Sequence, residues 1–354
     1  MKHQIWAIAA VAVLASTSLF AADTITRKSE GGKKITGTIT GMSKTEINVK
    51  KAVGEPETIQ ANDVAAIDWD GGGPDLRLGY TDEAGGKYET ALTRYAKAKA
   101  DSGAKNPSDH LKAEFDYVIA RANALASISE SDPAKQDAAI QKLLAIQKSR
   151  PEHFRYYESI HVLGQVQLAK GDFAAARTTF ELLAKAPWND YKMLAKIASG
   201  RVAVQENKLD EAAKLFEEAA AAATDSPADQ ARKYQAMLGQ ARALIAQSKF
   251  EEALQILELV TDKGPAEESS LQAEAFMLEG NSLQALGRMK EAALAYLHVD
   301  LLFSRETALH AEALYNLVKT WKLVQQPDRS TEAEGKLAKL YPNSAWRKKL
   351  TEGK

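Results

Sequence analysis

The chain has 354 residues, 46 basic and 47 acidic, for a net charge of −1, and it contains no cysteine. The length exceeds one ordinary domain of ~100–200 residues, so two units or one elongated array is expected. The charge balance speaks against a nucleic-acid binder, and the missing cysteines exclude disulfides, thiolate metal sites, a cysteine nucleophile and lipidation at an N-terminal cysteine.

Lys2 and His3 open the chain, Ile5 to Leu14 is apolar almost without interruption, and Ala21 and Ala22 precede Asp23. A charged start, a short apolar middle and a small-residue end mark residues 1–22 as a secretory signal peptide. The apolar run is shorter than the ~20 residues that span a bilayer. The mature chain is therefore expected to be exported, periplasmic or envelope-associated, and not integral to the membrane.

Residues 23–70 change character. Ile35, Gly37 and Ile39 alternate with Thr36, Thr38 and Thr40, and Ile47 and Val49 repeat the pattern after a turn at Gly41-Met42-Ser43-Lys44. Ala65, Ile67 and Trp69 are expected to share one face of a last strand, and Glu30-Gly31-Gly32 and Gly54-Glu55-Pro56 break the strands. Four or five short strands predict a small bent sheet or barrel. The Gly37-x-Ile39-x-Gly41 run and the closing Asp63-Val64-x-x-Ile67 resemble small Sm-like or SH3-like barrels. RNA binding, which Sm-like barrels imply, fits poorly. Seven basic residues (Arg27, Lys28, Lys33, Lys34, Lys44, Lys50, Lys51) face eight acidic ones (Asp23, Glu30, Glu46, Glu55, Glu57, Asp63, Asp68, Asp70). A cap or docking module is the better reading. Residues 71–78, opening Gly71-Gly72-Gly73-Pro74, read as a flexible linker; a calcium loop starting at Asp68 lacks two ligands, with Gly72 and Gly79 where oxygens belong.

From residue 79 to 350 the chain repeats. Leu163-Gly164, Gly171-Asp172-Phe173, Ala176, Phe180, Leu183 and Pro187 form the clearest unit. Gly200, Leu209, Ala212, Phe216 and Ala219 follow at the same offsets, then Ala241, Phe250, Ala253, Leu257 and Val260, then Gly280, Met289, Ala292, Tyr296 and Val299. Less regular units centre on Ala91, Ala139 and Ala333, the last with a small insertion around Gln326-Pro327. This pattern resembles the tetratricopeptide repeat, which implies about six or seven helical hairpins stacked as a solenoid, and residues 351–354 are left as a tail. Small residues let the paired helices approach, and large apolar ones fill the gap to the next pair. The ending Leu340-Tyr341-Pro342-Asn343-Ser344-x-Trp346 resembles periplasmic tetratricopeptide proteins of envelope assembly.

The resemblance implies that the first helix of each pair lines a concave face. One inward row then holds Gln165, Arg201, Arg242, Asn281 and Lys319, and the other holds His161, Ile197, Leu238, Met277 and Tyr315. Cations beside apolar side chains make a groove for a peptide, with carboxylates among the groups they hold. None of the six histidines sits in His-Glu-x-x-His spacing, and neither a nucleophile elbow nor a phosphate-binding glycine loop is present. No catalytic residue, cofactor or metal is expected. The reading is a mainly α protein, a tetratricopeptide-type solenoid behind a small all-β barrel-like domain, that serves as a non-catalytic interaction scaffold of the bacterial envelope. A self-assembling structural component, homo-oligomeric through its repeats, and a polysaccharide- or peptidoglycan-gripping accessory subunit are the alternatives.

Overall fold

The structure, a computed structural model, describes residues 22–103, 106–266 and 268–352. The expected signal peptide, Ala22 apart, and the last two residues of the expected tail lie outside the described residues.

The N-terminal unit is a five-stranded antiparallel sheet of β1 (Asp23–Arg27), β2 (Lys34–Met42), β3 (Glu46–Lys51), β4 (Glu57–Gln60) and β5 (Val64–Asp68), in the order β4-β3-β2-β1-β5. Ile35, Gly37 and Ile39 point inward while the threonines between them face out, as period two requires. A Cβ at Gly37 would lie 2.5 Å from the Lys50 carbonyl oxygen, so only glycine allows β2 to cross β3 this closely. Two details depart from the sequence reading. Met42 still belongs to β2, and the turn closes at Ser43, whose N–H donates to the Glu46 carbonyl at 2.8 Å. In β5 the pairing with β1 skips Ala65, a bulge that breaks the alternation; Ala65 is exposed, and Val64 takes the inward place beside Ile67 and Trp69.

Among the described residues fifteen helices follow. They pair as α1 (Gly73–Ala84) with α2 (Tyr88–Gly103), α3 (Asp109–Glu130) with α4 (Pro133–Ser149), α5 (Tyr156–Lys170) with α6 (Phe173–Leu183), and α7 (Asn189–Gln205) with α8 (Leu209–Ala221). The series continues with α9 (Pro227–Ala246) and α10 (Phe250–Lys263), α11 (Ser269–Ala285) and α12 (Met289–Leu302), α13 (Thr307–Leu323) and α14 (Pro327–Leu340), and ends on α15 (Ala345–Glu352). The stretch read as a linker holds the start of α1 from Gly73, and Leu76 is buried in one core with Ile25, Ile67, Trp69, Tyr95 and Phe115. Thr351 and Glu352, read as tail, end α15. No helix of the described residues is long and apolar enough to cross a membrane.

All seven repeat alanines are buried in the second helix of a pair: Ala91, Ala139, Ala176, Ala212, Ala253, Ala292 and Ala333. Four pairs set a glycine of the first helix beneath an aromatic ring of the second. These are Gly79 under Tyr95, Gly164 under Phe180, Gly200 under Phe216, and Gly280 under Tyr296. A Cβ on any of these glycines would come within 2.9 Å of the ring. Where the first helix carries Ser127, Ala241 or Trp321 instead, the second carries Leu143, Leu257 or Leu337. The Ser127/Leu143 and Ala241/Leu257 pairs thus keep the interhelical space by trading volume across the pair, whereas Trp321 beside Leu337 adds volume in the last hairpin. Gly79 sits twelve residues before Ala91, the same offset as Gly164 from Ala176, and it identifies α1 as the first helix that the sequence reading did not find.

The β unit is fastened beyond its covalent link to α1. The Trp188 Nε1–H donates to Gln60 Oε1 at 3.1 Å, and Asn62 Nδ2 donates to Asp190 Oδ1 at 3.1 Å. Lys44 lies 3.9 Å from Glu152 and stands over the Tyr156 ring. These contacts reach the starts of α5 and α7. Beneath them runs a buried ionic chain. Arg121 binds Glu83 at 2.5 Å and Glu158 at 2.6 Å, and Arg155 binds Glu158 at 2.8 Å and Glu114 at 3.0 Å. The Tyr80 and Tyr95 hydroxyls close the chain on Glu114 and Glu83, tying α1, α2, α3 and α5 together.

Candidate functional site: the concave groove

First helices of successive pairs stack side by side and form the inner wall of the array. Two adjoining cavities of about 560 and 620 Å³ run along this wall and share His161, Leu168, Arg201 and Gln205. One extends from there to Leu238, Arg242, Leu271 and Glu274, the other to Gln165, Leu125 and Tyr88. The expected residues His161, Gln165, Arg201, Leu238 and Arg242 therefore line one continuous groove. Leu168 supplies apolar surface within it, and Leu194, Leu238 and Leu271, largely buried in the core, line it with the little area they leave exposed.

The polar groups differ in how they are satisfied. Arg242 is bound to Glu274 at 2.5 Å. Arg232, from α9, donates to the neutral Gln235 at 2.8 Å. Arg201 has no hydrogen-bonded or ion-paired partner among the described residues. Arg201 keeps a solvent-exposed surface; partial desolvation by the groove walls, then the nearby Arg242 and Arg232, lower its pKa from the ordinary value. Burial, with the charges of Arg232 and Arg201, pushes His161 down to about 3, so the imidazole is neutral at physiological pH. Its buried Nε2 has no hydrogen-bond partner among the described residues.

The rest of the expected row is occupied elsewhere. Ile197 and Met277 are core residues, at 0% and 3% exposure. Asn281 accepts a hydrogen bond from the Tyr296 hydroxyl at 2.8 Å. Tyr315 is buried against Trp346 of α15, with ring centroids 5.2 Å apart, and Lys319 and Lys349 stand over its face. The short terminal helix therefore covers the position from which Tyr315 was expected to meet a partner. His153 precedes α5; it is buried with its ring 4.9 Å from that of Phe154, and burial pushes its pKa down to about 4.

Sequence reasoning missed Arg232, Gln235 and Leu194. Arg232 stands on an extra N-terminal turn of α9, which begins at Pro227, outside the minimal repeat used to index the groove. Helical spacing carries the signal: Arg232, Gln235 and Leu238 are three apart and share a face. Among the described residues no group of three or more His, Asp or Glu is placed to hold a metal ion.

The profile of the tetratricopeptide repeat family matches three overlapping windows, residues 161–227, 197–268 and 238–300. The helical array carries tetratricopeptide repeats. The solved structure of apo RapI aligns over 77% of this chain and 77% of its own, with 12% identity and a TM-score of 0.53. The apo quorum sensor NprR from B. thuringiensis aligns over 75% of each chain at 12% identity and a TM-score of 0.51. The signal transduction ATPase PH0952 from Pyrococcus horikoshii, which has a tetratricopeptide repeat sensor, matches 78% of this chain and 43% of its own, with 13% identity and a TM-score of 0.53. At such identities these likenesses show the tetratricopeptide fold alone. No curated protein sequence matches the chain.

Proposed function

We propose that this protein is a non-catalytic scaffold of the bacterial cell envelope that holds a partner protein or peptide in the concave groove of its tetratricopeptide repeats. The observation that carries the reading is the continuity of the groove from Tyr88 to Glu274, with leucines beside two arginines, Arg201 and Arg232, that have no carboxylate partner among the described residues, while the third, Arg242, is held by Glu274. Such a surface offers apolar burial together with directional charged hydrogen bonds, the combination by which grooves recognise peptides. Export rests on the charged, apolar and small-residue order of residues 1–22. The β unit contacts the starts of the first helices of the third and fourth hairpins, which carry His161 and Arg201, and so holds the middle of the groove in shape.

A photo-crosslinking residue placed at Gln165 or Leu238, compared with one at the exposed Leu294, tests the reading in cells. A defined protein adduct is expected at both groove positions and not at Leu294. Adducts at Leu294 alone would place the working surface elsewhere. Recovery of the protein in the cytoplasmic fraction would remove the envelope part of the proposal.

A further inference from the structure

We propose that the groove takes an extended peptide that passes through it, with an internal acidic side chain seated between Arg201 and Arg232 and apolar residues on either side. The inference rests on the scaffold reading and adds the chemistry of the occupant.

Charge is the first argument. Three arginines line one stretch of the groove together with two carboxylates, of which Glu274 is taken by Arg242 and Glu268 forms no ion pair with Arg201 or Arg232. Arg201 and Arg232 have no carboxylate at ion-pair distance among the described residues, and their fields oppose one another. An anion between them would relieve that repulsion and form charge-assisted hydrogen bonds with guanidinium donors. His161, neutral beside them, adds no competing charge, and its buried Nε2 has no hydrogen-bond partner among the described residues.

The path of the groove is the second argument. Arg201 lies where the two cavities meet, with Tyr88 and Leu125 toward one end and Leu271 and Glu274 toward the other. A carboxylate met midway along an open channel belongs to a side chain of a passing peptide; a chain terminus would need a closed end. Leu168, Leu194 and Leu238 line the same cavity as the two arginines and favour apolar neighbours for the acid. A recessed inner face also keeps the arginines from the plane of a lipid surface.

The test is selection of random heptapeptides by the folded protein from two displayed libraries, one flanked by linker on both sides and one ending in a free carboxylate. Flanked binders are expected to carry one aspartate or glutamate beside leucine, isoleucine or methionine. A representative glutamate peptide should bind at least ~10-fold more tightly than its glutamine counterpart, a difference of about 1.4 kcal/mol. That preference should vanish in the Arg201→Gln, Arg232→Gln variant and persist in Arg201→Lys, Arg232→Lys, which keeps the charge if the glutamine pair perturbs folding. Binders that crosslink to Gln165 or Leu238 without preferring an acid, or that require a free C-terminus, overturn this inference and leave the scaffold reading standing. Binders that crosslink outside the groove, or no binders from either library, overturn both.

Discussion

Replacing Gly164 by alanine tests how the hairpins are packed. The added Cβ would fall 2.3 Å from Cε1, 2.6 Å from Cζ and 2.8 Å from Cδ1 of Phe180, whereas carbon atoms in contact prefer ~3.5–4 Å. Phe180 is 1% exposed and has nowhere to go, so α5 and α6 must separate or the ring must leave its rotamer. Overpacking of this kind costs ~1–3 kcal/mol, offset by ~1 kcal/mol because alanine is the better helix former. A net loss of about 1–2 kcal/mol is expected. Phe180→Leu alone opens a void over the glycine and costs roughly 1–2 kcal/mol, less than the ~3–5 kcal/mol of truncation to alanine. The double variant recreates the Ala241/Leu257 pair that the fifth hairpin already uses. It should lie within ~1 kcal/mol of the wild type, giving a coupling of about 1–4 kcal/mol where unrelated sites would add. Urea unfolding followed by circular dichroism measures all four corners of the cycle. If the two changes add to within ~0.5 kcal/mol, the trade of volume between facing positions is not what spaces the helices.

Other expectations follow from the buried groups. Glu114→Gln removes the carboxylate that Arg155 and the Tyr80 hydroxyl share; with the Glu114 side chain at 0% exposure, the loss should be roughly 3 kcal/mol in guanidinium unfolding, and a loss below ~1 kcal/mol would mean that the ionic chain is solvated. His153 and His161 have folded pKa values near 4 and 3, below the ordinary ~6.5, so from about pH 6.5 downward the unfolded chain binds protons that the folded one refuses. Stability should therefore fall with acidification by up to ~1.4 kcal/mol per pH unit per histidine between about pH 6 and 4.5, and His153→Gln should halve that slope; an unchanged slope would show that the ring is hydrated. Gln60→Ala with Asn62→Ala deletes the hydrogen bonds to Trp188 and Asp190, worth ~1 kcal/mol each. Amides in the first turn of α7 should then exchange up to ~30-fold faster while those of α11 stay unchanged, and equal rates in both would show that the β unit does not brace the array.

Much of the fold was legible because its determinants are local. A glycine or alanine twelve residues before a repeat alanine, and a ring four residues after it, act across two helices joined by a short turn, so linear spacing maps onto contact. Left-handed residues at Gly171, Asn207, Ser248 and Gly287 close those turns at the place the repeat puts them. The strand pattern of Ile35 to Ile39 was equally plain, while the bulge at Ala65 was not, because it depends on how β5 pairs with β1.

The groove divides along the same line. Repeat offsets alone bring His161, Gln165, Arg201, Leu238 and Arg242 to one wall, because each is set by its own helix. Whether a cation keeps its charge for a partner depends on residues from other hairpins: Glu274 claims Arg242, and among the described residues nothing claims Arg201. Tyr315 disappears beneath α15, and the β unit settles against Trp188 and Asp190, 128 residues along the chain from Gln60 and Asn62. The sequence by itself determined the hairpins, their order and the inward faces, since these follow from periodicity and side-chain volume at short range. Only the tertiary structure decided which inward residues stay open, because ion pairing and burial are made by groups that meet solely when the whole array is stacked.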